Sequence, residues 1–368
     1  MTSFEIKLTE KILSSLNNDL SIHQDSAFDK EIFKRKKTLL KTNWKDRLIS
    51  KFTQNYYNPS WAVKFAIERL LELKKDLNYF EFCFNILEDD NSKTILIELI
   101  ALRICGSSKV QLSIETDTYE NYHQIVSKLE DKKTFLQADF RGWRLNLFDL
   151  NEIGYNKKLY CRVFPVVTFF LQEQYANIDN HIQVEENDIV IDAGGCWGDT
   201  ALYFSEKAKK GKVYSFEFIK SNIEIFKKNI SLNPEADNIE IIDKPLWSRE
   251  TDFFVLDNGP ASQVSDVKKE GFNEQVKSIT IDQFSKNKKL TSIDFIKMDI
   301  EGAELDALKG GEDTLKTYKP KLAIALYHNS LDFESIPKYI DSLNLGYKFH
   351  LGHATPGLNE TILFAKVY

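Results

Sequence analysis

The sequence predicts an α/β fold with a seven-stranded, mostly parallel sheet whose last strand is antiparallel, preceded by a mainly helical N-terminal domain. From residue 188 onward, short apolar runs alternate with amphipathic segments, which indicates strand–helix repeats and a parallel sheet. The strand-like segments 347–351 and 361–367 are only about ten residues apart, whereas a parallel crossover needs a dozen or more. We therefore expect the last two strands to form an antiparallel hairpin.

The N-terminal domain is predicted to span residues 1–160. Apolar residues recur at helical spacing in four segments, 5–20, 61–77, 94–104 and 119–129. The basic run KRKK at 34–37 is interpreted as a solvated helix face because acidic residues flank it, and a phosphate-binding patch is the alternative. Residues 140–175 alternate well enough to suggest a strand or two leading into the second domain.

The second domain, residues 161–368, is predicted to carry the sheet. Its strands are expected at 189–192, 212–217, 239–243, 293–298, 321–327, 347–351 and 361–367. Helical segments follow the first, second, fourth and fifth of these strands. The carboxyl ends of the parallel strands should therefore meet at one edge, where open α/β sheets bind their ligands.

The stretch NDIVIDAGGCWGDTALYF, at 187–204, is the most informative part of the chain. Its apolar run ends at Asp192, and Gly194, Gly195 and Gly198 then open an amphipathic segment, which indicates strand, tight turn and helix. Glycines let a backbone approach a ligand closely, and the first turn of a helix offers unpaired N–H groups. A dinucleotide fingerprint fails, because cysteine and aspartate replace its next two glycines, and no GK[ST] follows for a P-loop.

Acidic residues at the ends of the first strands indicate which cofactor binds. Asp192 and Glu217 close neighbouring strands, which suits a ligand with an ammonium group and a ribose diol, and S-adenosylmethionine has both. We expect Asp192 to contact the ammonium, with helix capping as its alternative, and Glu217 to bind the ribose, with a solvated strand end as its alternative. Asp243, closing the third strand, is expected near the adenine amino group, although Leu246 or Trp247 could line the ring instead.

Three further acids follow the fourth strand. Asp299 and Glu301 point to the same side of an extended chain, and Glu301 and Glu304 share a face if a helix begins at Gly302. The three carboxylates are therefore expected to converge near the methyl donor. His328 follows the neighbouring fifth strand, and an imidazole has a pKa suited to a general base near neutral pH.

Several roles are open for this group. The predicted base is His328 or Asp299, and the alternative for His328 is a structural hydrogen bond. Glu301 is assigned to the same catalytic group, and Glu304 is predicted to contact the substrate. Asp299, Glu301 and His328 could instead hold a divalent ion, since hard oxygens with one imidazole suit magnesium or manganese. His353, at the hairpin rim, is a further candidate substrate contact, and a hairpin histidine without such a role is the alternative.

The chain from about residue 170 to 368 resembles the FkbM family of class I S-adenosylmethionine-dependent methyltransferases. The matching stretches are DIVIDAGGCWGDTALYF, KVYSFEF, FIKMDIEGAELDALKGG, LAIALYHNSLDFESIPKYI and ETILFAKVY, of which MDIEGAE is the most specific. The resemblance implies a Rossmann-like methyltransferase sheet and methyl transfer, usually to a hydroxyl on a glycan or small metabolite. Cys196 departs from the family pattern, which generally has Gly or Asn there, and this could alter contacts to the methionine part.

Composition bounds the remaining possibilities. The net charge of -6 and the acidic MDIEGAE, where nucleic-acid methyltransferases carry an NPPY-like motif, disfavour nucleic acid as a partner. The cysteines show no CxxC spacing, and the N-terminus lacks the apolar core of a signal peptide. The apolar runs are too short to span a bilayer, so we expect a soluble cytoplasmic protein. The predicted reaction is O-methylation of a small-molecule or glycan acceptor. N- or C-methylation, or a catalytically silent cofactor-binding partner subunit, are the alternatives.

Overall fold

The computed structural model describes residues 1–18, 59–114, 116–138, 142–257, 259, 262–265, 267, 270 and 274–368. By compactness the chain divides into two units, Met1–Thr116 with Thr355–Asn359, and Asp117–Ala354 with Glu360–Tyr368. The basic run at 34–37 and the end of the first predicted helix lie outside the described residues. Across the described ranges, no helix is both long and apolar enough to cross a bilayer.

The described part of the first unit is helical. Its helices are α1 (Ser3–Leu16), α2 (Pro59–Leu73), α3 (Leu77–Ile86) and α4 (Asp90–Cys105). A capping box between Thr2 and Glu5 begins α1, because each side chain bonds the other residue's backbone N–H. The buried carboxylate of Glu98, on α4, accepts hydrogen bonds from Lys11 Nζ at 2.7 Å and from the Ser113 amide at 2.6 Å. This polar cluster satisfies a charge that would otherwise be costly to bury.

The second unit begins with helix α5 (Thr116–Leu129) and a small antiparallel sheet of β1 (Glu130–Gln137), β2 (Arg144–Asp149) and β3 (Lys158–Cys161). The side chains of Asn229 and Asn233 accept hydrogen bonds from the Tyr160 and Lys158 amides at 2.7 and 2.8 Å. These bonds tie β3 to residues of the main-sheet region. The predicted domain boundary near residue 160 therefore lies inside the second unit, and compactness places the division at residue 116.

The main sheet has seven strands. In chain order, the remaining strands of the unit are β4 (Ile189–Ala193), β5 (Lys212–Phe216), β6 (Ile239–Ile242), β7 (Asp252–Leu256), β8 (Gln263–Ser265), β9 (Glu274–Lys277), β10 (Phe295–Met298), β11 (Lys321–Ala325), β12 (Tyr347–His353) and β13 (Thr361–Val367). The sheet order is β12-β13-β11-β10-β4-β5-β6. The five strands from β11 to β6 are parallel, and β13 is antiparallel to both β11 and β12. The predicted hairpin and reversed last strand are confirmed.

Helices follow β4, β5, β10 and β11 at the predicted places. They are α6 (Asp199–Lys207), α7 (Lys220–Ser231), α9 (Glu304–Lys309), α10 (Glu312–Tyr318) and α11 (Asp332–Ser342), and one further helix that was not predicted, α8 (Ile281–Lys288), precedes β10. β7, β8 and β9 form a separate antiparallel sheet that the sequence analysis did not predict. Aromatic side chains fill the core beside β10, where the rings of Phe204 and Phe295 lie 5.7 Å apart.

Candidate active site

The glycine turn after β4 forms as predicted, but its glycines are required by contacts within the protein. Gly194 has φ +88°, and a Cβ there would lie 2.0 Å from the carbonyl oxygen of Asp299. A Cβ at Gly195 would lie 2.1 Å from a serine hydroxyl of β5, and one at Gly198 would lie 2.2 Å from the Phe226 ring. The glycines therefore let the turn pack closely against neighbouring strands and helices.

Glu217 lies directly after β5, beside this turn, because the amides of Gly194 and Gly195 donate to the carbonyl of Phe216 at 3.0 and 2.9 Å. Its carboxylate is buried and accepts the Ile219 amide at 2.7 Å. Burial raises the pKa of Glu217 to about 7, although the bond from Ile219 acts to lower it. The glycine turn and the second-strand acid, which the sequence assigned to one cofactor site, therefore lie side by side.

Asp192 occupies a different position from the one expected. It is fully buried, and its carboxylate is bound by Thr200 Oγ1 at 3.0 Å, Ser215 Oγ at 2.7 Å and Lys297 Nζ at 3.1 Å. Both carboxylate oxygens thus have donors within the protein, so direct contact with a ligand ammonium does not fit. The bond to Thr200, in the first turn of α6, is closer to the helix-capping alternative.

Lys297 is a site residue that the sequence analysis missed. It is the register partner of Asp192 across β10 and β4, and its side chain is buried. Its ammonium also donates to the carbonyls of Ala193 at 3.0 Å and Gly194 at 2.8 Å. Burial acts to lower the pKa of Lys297, but Asp192 and Asp299 outweigh burial and raise it, so the group is charged. The sequence feature that could have revealed it is the single lysine within the otherwise apolar strand segment FIKM.

The three carboxylates after β10 converge on His328, as expected. His328 Nε2 lies 3.3 Å from Asp299 Oδ1 and 3.7 Å from Glu301 Oε2, and Nδ1 lies 3.1 Å from Glu304 Oε1. The path of the chain differs from the prediction, because Glu301 and Gly302 have φ +57° and +96°. A left-handed turn therefore separates the strand from α9, which begins at Glu304 rather than at residue 302.

The protonation states of this group do not fit the predicted base. Burial acts to lower the pKa of His328, but its interactions with Asp299 and Glu304 outweigh burial and raise the pKa to about 11. An imidazole that is already protonated at neutral pH cannot accept a proton, so His328 does not suit the base role. Burial acts to raise the pKa of Asp299, but His328, Lys297 and neighbouring hydroxyls hold that pKa far below its usual range. Glu301 differs, because burial raises its pKa to about 7.

Further residues join the group, and two of them, Gln174 and Tyr175, come from a part of the chain without a recognised motif. The hydroxyls of Tyr175 and Tyr327 each donate to Asp299 at 2.9 Å. Glu360 accepts a hydrogen bond from Gln174 Nε2 at 2.6 Å, and burial together with the charge of Asp299 raises the pKa of Glu360 to about 8. Gln174 and Tyr175 follow a π-helical turn, Val166–Leu171. Their polar side chains in an otherwise apolar segment were the only sequence signal.

Two predicted site residues remain. Asp243 is exposed just after β6, next to Ile242, whose carbonyl accepts the Glu217 amide at 3.1 Å. His353 ends β12, opposite Thr361 of β13, and its Nδ1 lies 2.8 Å from the hydroxyl of that residue. His353 thus has a partner within the hairpin.

A sheet in this order, with a reversed last strand and a glycine turn after its first strand, defines a Rossmann-like methyltransferase fold. The model of the methyltransferase FkbM domain matches residues 177–349, so this part of the chain is an FkbM methyltransferase domain. No curated protein matches the sequence.

Solved structures agree with the fold. The methyltransferase FkbM from Methylobacillus flagellatus KT superposes with a TM-score of 0.51 at 19% identity, covering 82% of this chain and 62% of that one. This chain thus spans less than two thirds of that protein, and at this identity the similarity concerns the fold alone. The human methyltransferase 10 domain containing protein has a TM-score of 0.40 at 12% identity, over 70% of this chain and 99% of that one. That similarity is too low to support an argument here.

Proposed function

We propose that this methyltransferase transfers a methyl group from S-adenosylmethionine to a hydroxyl of a sugar, glycan or related metabolite. The observation that carries the proposal is that the glycine turn within the FkbM domain is bonded to the end of β5, where the amides of Gly194 and Gly195 donate to the carbonyl of Phe216, the residue directly before Glu217. Both features lie at the carboxyl ends of adjacent strands, where open α/β sheets bind ligands. A carboxylate at that place suits the two hydroxyls of a ribose.

The charge of the site supports a positively charged donor. Burial raises the pKa of both Glu217 and Glu360, so neither carboxylate has a full counter-charge within the protein. A sulfonium would reduce the cost of ionising such groups. Its charge disappears as the methyl group leaves, so these acids favour binding of the donor and add little to transition-state stabilisation.

The acceptor hydroxyl must lose its proton as its oxygen attacks the methyl carbon. The O–CH₃ bond forms while the S–CH₃ bond breaks, and the sulfonium becomes the neutral thioether of S-adenosylhomocysteine. Glu301 is the residue we propose as proton acceptor, because its side chain is 34% exposed, against 17% for Asp299 and 1% for Glu304. Alignment of oxygen, methyl and sulfur supplies most of the acceleration, and a general base typically adds about 10²- to 10⁴-fold.

The acceptor class and the compartment are also proposals. A neutral hydroxyl acceptor is compatible with an acid-lined site, whereas a nucleic-acid phosphate backbone would be repelled. The resemblance to a family that usually methylates hydroxyls supports a glycan or metabolite. All four cysteines are free, which supports a reducing compartment such as the cytoplasm.

Calorimetric titration with S-adenosylhomocysteine tests cofactor binding directly. Glu217→Gln keeps the shape of the side chain but removes its charge, so we expect affinity to fall about tenfold to a hundredfold, the range for losing a charged hydrogen bond. Glu224→Gln, an exposed change on the nearby helix α7, is the matched control and should bind as the wild type does. Absence of binding to the wild type, or equal affinities for both variants, would overturn the proposal.

A second measurement tests the proton acceptor. Labelled donor is used to screen hydroxyl-bearing sugars and metabolites, and turnover is then compared for the wild type and Glu301→Gln. We expect kcat to fall about a hundredfold or more while affinity for S-adenosylhomocysteine is unchanged. Unchanged kcat in this variant would remove Glu301 from the base role.

A further inference from the structure

Two side chains beneath the proposed acceptor site have buried polar atoms without a hydrogen bond. Glu304 Oε2 and both ring nitrogens of His328 are buried and have no hydrogen-bond partner, and the side chains of these residues are 1% and 9% exposed. The distances from His328 to Asp299 and Glu304 permit ion pairs, but the geometry is not that of hydrogen bonds. Buried polar groups in native proteins are nearly always bonded, so these atoms indicate a missing ligand.

We propose that Asp299, Glu304 and His328 bind one divalent cation, magnesium or manganese. Each residue offers one ligand atom, and these atoms all lie within 4.8 Å of one another. Ligands about 2.0–2.2 Å from a common ion would lie up to roughly 4.4 Å apart, so only small side-chain movements are needed. Two carboxylate oxygens with one neutral imidazole suit these ions, so the cation would take the place of the proton on His328 when it binds. Glu304 takes the place that the sequence analysis gave to Glu301.

The surrounding bonds hold the ligands in orientations that suit an ion. Glu304 Oε1 accepts the Ile300 amide at 2.8 Å, which leaves Oε2 available. The hydroxyls of Tyr175 and Tyr327 fix Asp299 from the protein side. Metal-binding carboxylates are typically held in this way by neighbouring donors.

This inference rests on the proposed function and deepens it. Asp299, Glu304 and His328 would hold the cation, which would supply Lewis-acid assistance to ionisation of the acceptor hydroxyl. Glu301 would accept the hydroxyl proton as the oxygen takes the methyl group from sulfur. The bonds made and broken are those of the methyl transfer already described.

Manganese titration of the full chain, followed by the electron paramagnetic resonance signal of free Mn²⁺, tests the site. We expect one Mn²⁺ per wild-type chain, with magnesium competing. Glu304→Gln should weaken binding at least tenfold, and Tyr327→Phe, which keeps every ligand, should weaken it by about tenfold as for other outer partners. Asp306→Asn, a more exposed acid two residues further on in α9, is the matched control and should bind normally.

The outcomes separate this inference from the proposed function. If Mn²⁺ stays free in the presence of excess wild-type protein, or if Glu304→Gln and Asp306→Asn bind it equally, the ion site is overturned. Circular dichroism checks the folding of Glu304→Gln, and Tyr327→Phe serves as the second variant if that protein does not fold. Binding of S-adenosylhomocysteine without Mn²⁺ would leave the methyltransferase proposal standing, and the reverse result would refute that proposal while supporting the ion site.

Discussion

Replacing Lys297 with methionine should destabilise the second unit and loosen the glycine turn. Methionine keeps much of the apolar length of lysine but removes the charge and all three donors. The carboxylate of Asp192 would lose its counter-ion at 3.1 Å and keep only the hydroxyls of Thr200 and Ser215. The carbonyls of Ala193 and Gly194 would lose this ammonium in the same step, and of the two Ala193 keeps the Asp299 amide at 3.2 Å.

The size of the effect follows from burial. Removing one partner of a buried ion pair costs about 3–5 kcal/mol, because the other charge is left uncompensated. Asp192 retains two hydroxyl donors, so we expect the lower end, about 3 kcal/mol. Domains are stable by roughly 5–15 kcal/mol, so the variant should fold with a much reduced margin. Affinity for S-adenosylhomocysteine should fall as well, because the turn carbonyls are no longer held by the ammonium.

Urea unfolding followed by circular dichroism measures this loss as a lower midpoint at unchanged slope. Asp192→Asn and the double variant complete a mutant cycle. The double variant should be more stable than Lys297→Met alone by roughly 1–2 kcal/mol, because it no longer buries a lone charge. Lys227→Met, on the exposed face of α7, should change little. Strictly additive costs, or a Lys297→Met protein as stable as the wild type, would refute the reasoning.

Three further predictions concern the same region. Gly194→Ala should lower the free energy of unfolding in urea by more than Gly346→Ala does. Both glycines have φ above +80°, which costs an alanine about 1–2 kcal/mol, but only at 194 would the new Cβ meet a backbone carbonyl, that of Asp299 at 2.0 Å. Equal losses for the two variants would contradict this. Affinity for S-adenosylhomocysteine should fall as the pH drops below 7, by up to about tenfold per pH unit, because Glu217, with its raised pKa, becomes protonated and accepts the ribose hydroxyls less well. In calorimetry, Glu217→Gln should make this affinity independent of pH. A wild-type affinity that does not change with pH would rule out the linkage. Asn229→Ala should cost about 2–4 kcal/mol in the same unfolding assay, because it leaves buried backbone groups of β3 and the turn without partners, and a loss below 1 kcal/mol would count against that role.

Local patterns in the sequence were sufficient for the sheet. Apolar runs of strand length predicted each of its strands, and the short connection between the last two required an antiparallel pair whatever the rest of the chain did. The glycine turn was also evident, because a sharp strand-to-helix turn needs residues that tolerate positive φ, as Gly194 and Gly198 do. These features depend on residues close together in the chain, which is why sequence alone determined them.

The chemistry of the site was decided by contacts between distant residues. Asp192 was expected to face a ligand, but Lys297, more than a hundred residues later, neutralises it inside the sheet. His328 has the usual pKa of a base only when isolated, and the charges of Asp299 and Glu304 raise that pKa in the fold. A pKa depends on burial and on charges within a few ångströms, and neither is encoded by spacing along the chain. The sequence therefore determined the fold and the residue types of the site, and only the tertiary structure decided their partners and protonation states.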